Sequence, residues 1–258
     1  MRIVRFQAST LSSAAWGWVS GDRIGVLEGS PFGQFRREEA VLPLEAARLL
    51  SPVRPAKIIC VARNYAAHAA EHEADVPELP LIFLKPATSV IGPGEAILLP
   101  PQSAQVEHEA ELAAVIGEGG RWIRPEEAER HILGYTIAND VTARDLQRRD
   151  GQWSRAKGFD TFCPLGPWIE TEMDPSDALI RCTVNGQLRQ MGSTRDMVFP
   201  IRQLVAFISS VMTLEPGDVI LTGTPSGVGA LAAGDEVVVE IDGLGRLVNP
   251  VRTDTRAE

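Results

Sequence analysis

Short apolar runs recur along the chain: KIICVA at 57–62, PLIFLK at 80–85, ELAAVIG at 111–117, GYTIANDV at 134–141, LIRCTVNG at 179–186, DVILTG at 218–223 and DEVVVEI at 235–241. Turn signals separate them, among them GPG at 92–94, PP at 100–101, EPGD at 215–218 and AAGD at 232–235. Runs this short, punctuated by Gly and Pro, predict strands. Helical spacing is confined to NYAAHAAEH at 64–72 and PIRQLVAFISSVM at 200–212. Many strands and few helices predict a β-rich α+β fold, with a sheet folded over on itself or closed into a barrel.

The first fifty residues read as short strands and turns (MRIVRF, AAWGWVSG, DRIGVLEG) followed by a helix-like piece, PLEAARLL. The segment SPVRPAK, with Pro52 and Pro55, then looks like a connector. It divides the chain into a small N-terminal domain, 1–52, and a larger domain, 53–258. An apolar fraction of 44% in 258 residues is enough for this arrangement.

Charge and cysteine usage narrow the functional classes. The net charge is −9 and basic residues are scattered, which argues against a nucleic-acid partner. No apolar run approaches the roughly 20 residues that span a bilayer, and the start lacks the continuous apolar region of a secretory signal. Cys60, Cys163 and Cys182 have no CxxC spacing and fit free thiols in a reducing cytoplasm.

Several catalytic signatures fail. GTPSGVG at 223–229 lacks the GK[ST] ending of a phosphate loop, HEAEL at 108–112 has Leu112 where HExxH needs its second His, and GxSxG is absent. HAAEH at 68–72 does match HxxEH, which leaves a zinc peptidase as one alternative.

The stretch QVEHEAELAAVIG at 105–117 places Glu107, Glu109 and Glu111 in strict alternation. On a strand, Glu109 and Glu111 project from one face, with Leu112, Ala114 and Ile116 on the other. On a helix the two acids would point about 200° apart. Like charges converging at a buried strand end are unfavourable unless a cation neutralises them, and hard oxygen donors suit Mg²⁺, Mn²⁺ or Ca²⁺. Asp140, where GYTIAN ends, is a candidate third ligand, with Thr142 reading as a helix N-cap. A solvent-exposed acidic strand or helix N-terminus is the alternative.

In combination, CVARNYAAH at 60–68, FLKP at 83–86, EAEL at 109–112, GYTIANDVTARD at 134–145, KGFDTFCPLGPW at 157–168 and LEPGDVILTGTPSGVG at 214–229 resemble the fumarylacetoacetate hydrolase superfamily, from about residue 55 onward. The one departure is Ala62, where Gly often precedes Arg-Asn-Tyr. The resemblance implies a mixed β-sandwich roll, usually homodimeric, with Mg²⁺ or Mn²⁺ held at Glu109, Glu111 and Asp140. Glu107 does not match a ligand position and is expected to support the site or be solvated.

The resemblance also implies that His68 and Glu71 match the helix dyad of the acylpyruvate-hydrolysing and oxaloacetate-decarboxylating branch. Lys157 matches the site lysine, and Arg63, Tyr65, Arg144, Gln147 and Thr224 match positions lining the substrate. For Arg63 and Arg144 a structural ion pair is the alternative. The activity so implied is divalent-metal-dependent C–C hydrolysis of acylpyruvate-type 2,4-dioxo acids through a metal-bound pyruvate enolate. Oxaloacetate decarboxylation, isomerisation or decarboxylation of 2-oxo-dienoic diacids, and a non-catalytic binding role are the alternatives. Loss of Glu109 or Asp140 is expected to abolish turnover and leave the fold intact.

Overall fold

The computed structural model describes residues 1–255, so the last three residues of the expected 53–258 domain lie outside the described residues. Its largest sheet has 13 strands. Along its main path lie Phe35–Arg37, Arg23–Gly29, Ala15–Ser20, Arg2–Gln7, Cys163–Glu170, Ile132–Asn139, Ala110–Ile116, Val219–Leu221, Ile58–Ala62 and Leu81–Lys85. Pairing along this path is antiparallel except between Val219–Leu221 and Ile58–Ala62. A five-stranded sheet, Ile97–Leu99, Gly245–Thr253, Glu236–Ile241, Leu179–Val184 and Gln187–Ser193, forms a second unit. The expected strand-rich mixed roll is present.

Ala110–Ile116 explains why the central strands read as unbroken apolar runs. Every residue in it is buried. Leu112, Ala114 and Ile116 enter one core cluster, which also takes Leu204, Val205 and Ile208 of the helix Ile201–Val211. Ala113 and Val115 enter a second cluster with Ile3, Ile58 and Leu165. A strand covered on both faces has no solvent side on which to place polar residues.

Some expectations change. PLEAARLL is not a helix; Leu44–Ala46 forms one 3₁₀ turn, and Arg48–Leu50 is a strand paired with Arg5–Gln7. Cross-strand partners far away in the chain, such as Phe6 for Leu49, overrode a weak local preference. The first helix shortens to Ala66–Glu71. Thr142 is not an N-cap: it lies in the two-residue strand Thr142–Ala143 and its hydroxyl donates to the Asp140 carbonyl. Arg2–Gln7 pairs with Cys163–Glu170, so the main sheet runs without interruption across the 52/53 boundary. The three cysteines are buried free thiols. No helix among the described residues is long and apolar enough to cross a membrane.

Candidate active site

The acidic stretch is two strands with a break. Val106–His108 belongs to a three-stranded sheet and Ala110–Ile116 to the large one. Glu109 occupies the break: its N–H donates to Asn139 Oδ1 at 2.9 Å and its carbonyl accepts from the Asp140 N–H at 2.8 Å. Because Glu111 pairs with Ala138 and Ala110 with Asn139, the chain crossing at Asp140 brings its carboxylate to the same strand ends. Oxygens of Glu109, Glu111 and Asp140 lie within 4.8 Å of one another, and all three residues are buried.

Cations surround this triad unevenly. Lys157 Nζ donates to Glu109 Oε2 and Asp140 Oδ2, both at 2.7 Å. Lys85 Nζ donates to Asp140 Oδ1 at 2.6 Å. Arg144 donates to Glu109 at 2.5 Å, to Glu107 Oε2 at 2.7 Å and to Gln147 Oε1 at 2.5 Å. Glu111 receives one donor, the Gly223 N–H at 2.7 Å. Gly223 has φ +96 and a Cβ there would sit 2.8 Å from Asn64 Cβ, so only glycine lets this N–H reach the carboxylate.

This asymmetry divides the carboxylates electrostatically. Burial raises the Glu109 pKa, but Lys157 and Arg144 outweigh it and hold the group well below the usual range. Burial, then Asp140 and Glu109, push Glu111 well above that range. Burial disfavours the Lys157 charge, yet Asp140 and Glu109 lift its pKa to about 12, so it is a fixed cation. Among the described residues Glu111 is a buried acid without an ion-pair partner, crowded by two other acids. Three hard oxygen donors, one uncompensated, fit a hard divalent ion and give no soft donor for zinc.

A cavity of about 280 Å³ opens on the triad. His68, Arg63, Arg144, Gln147, Lys157 and Thr224 all line it. His68 Nδ1 stands 3.3 Å from Glu71 Oε2, and the Gly227 N–H holds both oxygens of Glu71 at 3.0 and 3.2 Å. Thr224 is already committed, donating to the Ala110 carbonyl and accepting from Gln190. Tyr65 does not line the cavity; it is buried and its hydroxyl has no hydrogen-bond partner among the described residues. Burial, then the charges of Glu111 and Asp196, push its pKa up.

The two arginines separate. Arg144 has an ion-pair role, with its guanidinium divided between Glu107, Glu109 and Gln147. Arg63 is half-buried with no hydrogen-bond or ion-pair partner among the described residues. Glu107 is not solvated: it is 6% exposed and held by Arg144 and by Gln105 at 2.6 Å.

Lys85, Phe83 and Trp153 join the site without a motif that singles them out, whereas His72 belongs to the HAAEH pattern read from the sequence. Lys85 carried a signal, since a lysine closing the apolar strand PLIFLK needs a buried partner. His72 lines the cavity beside His68, and burial, then Arg144 and His68, lower its pKa. Phe83 places its ring 5.0 Å from Lys157 Nζ and packs edge to face on Trp153.

Comparison with known proteins adds independent findings. The family described as Fumarylacetoacetate (FAA) hydrolase C-terminal matches residues 57–252, and one described as Rv2993c-like, N-terminal matches 1–52. Oxaloacetate tautomerase FAHD2A, mitochondrial, of Homo sapiens is 43% identical over 97% of this chain and 91% of its own. The crystal structure of 5-carboxymethyl-2-hydroxymuconate delta-isomerase from Mycobacterium smegmatis is 48% identical, with a TM-score of 0.91 over 98% of this chain and all of that one. Maleylpyruvate hydrolase from Sphingobium sp. SYK-6, in complex with manganese(II) and pyruvate, is 33% identical with a TM-score of 0.80, covering 98% of this chain and 99% of that one.

Proposed function

The chain belongs to the fumarylacetoacetate hydrolase family, and we propose that it is a metal-dependent enzyme that shifts a proton between C3 and the 2-oxo oxygen of a small 2-oxo diacid of the oxaloacetate class. Family membership replaces the zinc-peptidase reading of HAAEH. The observation that carries the proposal is Arg63. Arg63 lines the cavity with no counter-ion among the described residues, on a backbone held at φ +55, a conformation that costs a non-glycine residue energy. A second substrate carboxylate answers that charge; the neutral acyl tail of acetylpyruvate does not. The cavity is also small, suiting a short diacid.

Each residue then has a task. Glu109, Glu111 and Asp140 would hold Mg²⁺ or Mn²⁺. When bound, such an ion would supply Lewis-acid charge where the 2-oxo oxygen gains electrons. Glu71, fixed by the Gly227 N–H, orients His68, which takes a proton from C3 and returns it to oxygen. The C3–H bond breaks, its electron pair becomes the C2=C3 double bond, and no co-reactant is consumed. Lys157 keeps its proton and acts as a positive charge beside the reacting oxygens. Arg63 binds the distal carboxylate. The names of the human and mycobacterial relatives, a tautomerase and an isomerase, support a proton shift.

A second reading, acylpyruvate C–C hydrolysis, is favoured by the His68–Glu71 dyad, which also suits activation of a water. One metal-loaded preparation separates them. We expect C3 proton exchange of oxaloacetate in D₂O, followed by NMR, to outpace acetylpyruvate cleavage. Cleavage without exchange would install the hydrolase reading, and neither reaction with either metal would end both. Replacing Arg63 by Gln should raise the KM for oxaloacetate about 10- to 100-fold with little change in kcat, as expected for one lost charge-assisted contact. His68→Ala should lower kcat by about 10²- to 10⁴-fold. A homodimer, which the family resemblance implies, belongs to the same proposal. The sheet-edge strand Leu81–Lys85, exposing Leu81 and Leu84, offers an apolar edge for it, and light scattering tests it.

A further inference from the structure

The proposed reaction uses His68 and Glu71 but leaves His72 without a task. His68, Glu71 and His72 each present a ligand atom, and these lie within 4.8 Å of one another. The two imidazoles meet edge to face with centroids 4.7 Å apart, as i, i+4 residues on one helical face do. The chain has four histidines. His108 Nδ1 is engaged by Gln190 and His131 Nδ1 by the Glu118 carbonyl. The His72 ring has no hydrogen-bond partner among the described residues, and both imidazoles of the cluster line the cavity. The carboxylate between them is already fixed by the Gly227 N–H, which stands at a glycine with φ +97, where a Cβ would lie 2.2 Å from the Arg189 carbonyl. Two imidazoles and one anchored carboxylate are the donor set of zinc.

We propose that His68, Glu71 and His72 form a second metal site, selective for borderline transition ions such as Zn²⁺, whose occupation inhibits the enzyme. The two sites sort ions by donor type: three carboxylates take the hard cation, two imidazoles take zinc. Inhibition follows because the zinc consumes the His68 lone pair that the proton shift needs. That consequence rests on the proposed function; the binding does not.

The test is zinc binding in excess Mg²⁺, with X-ray absorption reporting the ligands. Zinc on the wild-type chain, and on Glu111→Gln, should show two imidazoles in its shell. His72→Ala should weaken binding by at least about 100-fold, the upper end of the loss caused by removing even an outer partner of a ligand. The zinc concentration that halves turnover should rise by a similar factor in that variant. An oxygen-only shell in the wild type, or zinc held as tightly by His72→Ala, overturns the site. A chain that binds zinc through two imidazoles yet exchanges no 2-oxo acid proton supports the site and counts against the reaction.

Discussion

Replacing Glu111 by glutamine is expected to abolish metal-dependent turnover, by on the order of a thousandfold or more, while making the metal-free fold more stable. Activity falls because one of three donors is lost and with it several kcal/mol of Lewis-acid stabilisation. Stability rises because Glu111 is buried beside Asp140 and Glu109 and has a single backbone donor. Its folded pKa lies above its unfolded one, so folding takes up a proton. That linkage costs nothing below the ordinary carboxylate range and weakens the fold increasingly as pH climbs from there towards the raised value. Glutamine keeps the shape, can still accept from Gly223, and removes the charge. Urea unfolding in EDTA at pH 5 and pH 8 should therefore show a gain that is larger at pH 8. A variant destabilised at both values would mean that Glu111 is already neutralised within the protein and is not waiting for a cation.

Asp140→Ala should behave in the opposite way, losing activity and about 3–5 kcal/mol of stability together, the usual effect of removing one member of a buried ion pair. Lys85 and Lys157, each 2% exposed, both donate to this carboxylate. Lys157 keeps Glu109, but among the described residues Lys85 is left with only the Val141 carbonyl at 3.1 Å. The fold expected to survive removal of this residue should therefore survive with a smaller margin, because Lys85 is an ammonium that cannot reach water. The double variant Lys85→Met/Asp140→Ala should recover part of the loss, because the orphaned charge goes with it. Full additivity of the two single effects would show that the pair is not coupled.

Those contrasting outcomes mark what could be read in one dimension. Alternation at Glu109 and Glu111 implied convergent carboxylates because side chains on extended backbone repeat every two residues. The end of GYTIAN supplied Asp140 for the same local reason, and HAAEH put its dyad on one face of a helix turn. Short apolar runs between Gly and Pro gave the strands of the large sheet, since their dihedral preferences and turns are set by near neighbours.

The partners of those residues come from far along the chain. Lys85 meets Asp140 across 55 positions, Arg144 meets Glu107 across 37, and the Gly223 N–H meets Glu111 across 112. None of these pairs has a local spacing, because strand order and register create them. The same order breaks the acidic stretch at Glu109 and turns Arg48–Leu50 from a helix-like segment into a strand. It also leaves Arg63 without a partner among the described residues while Arg144 is fully engaged, a difference that neither arginine's own motif can show. The sequence by itself determined which side chains carry the chemistry. Only the tertiary structure decided which of their charges are already balanced, because balance depends on what the folded sheet brings within 3 Å, and that distance has no counterpart along the chain.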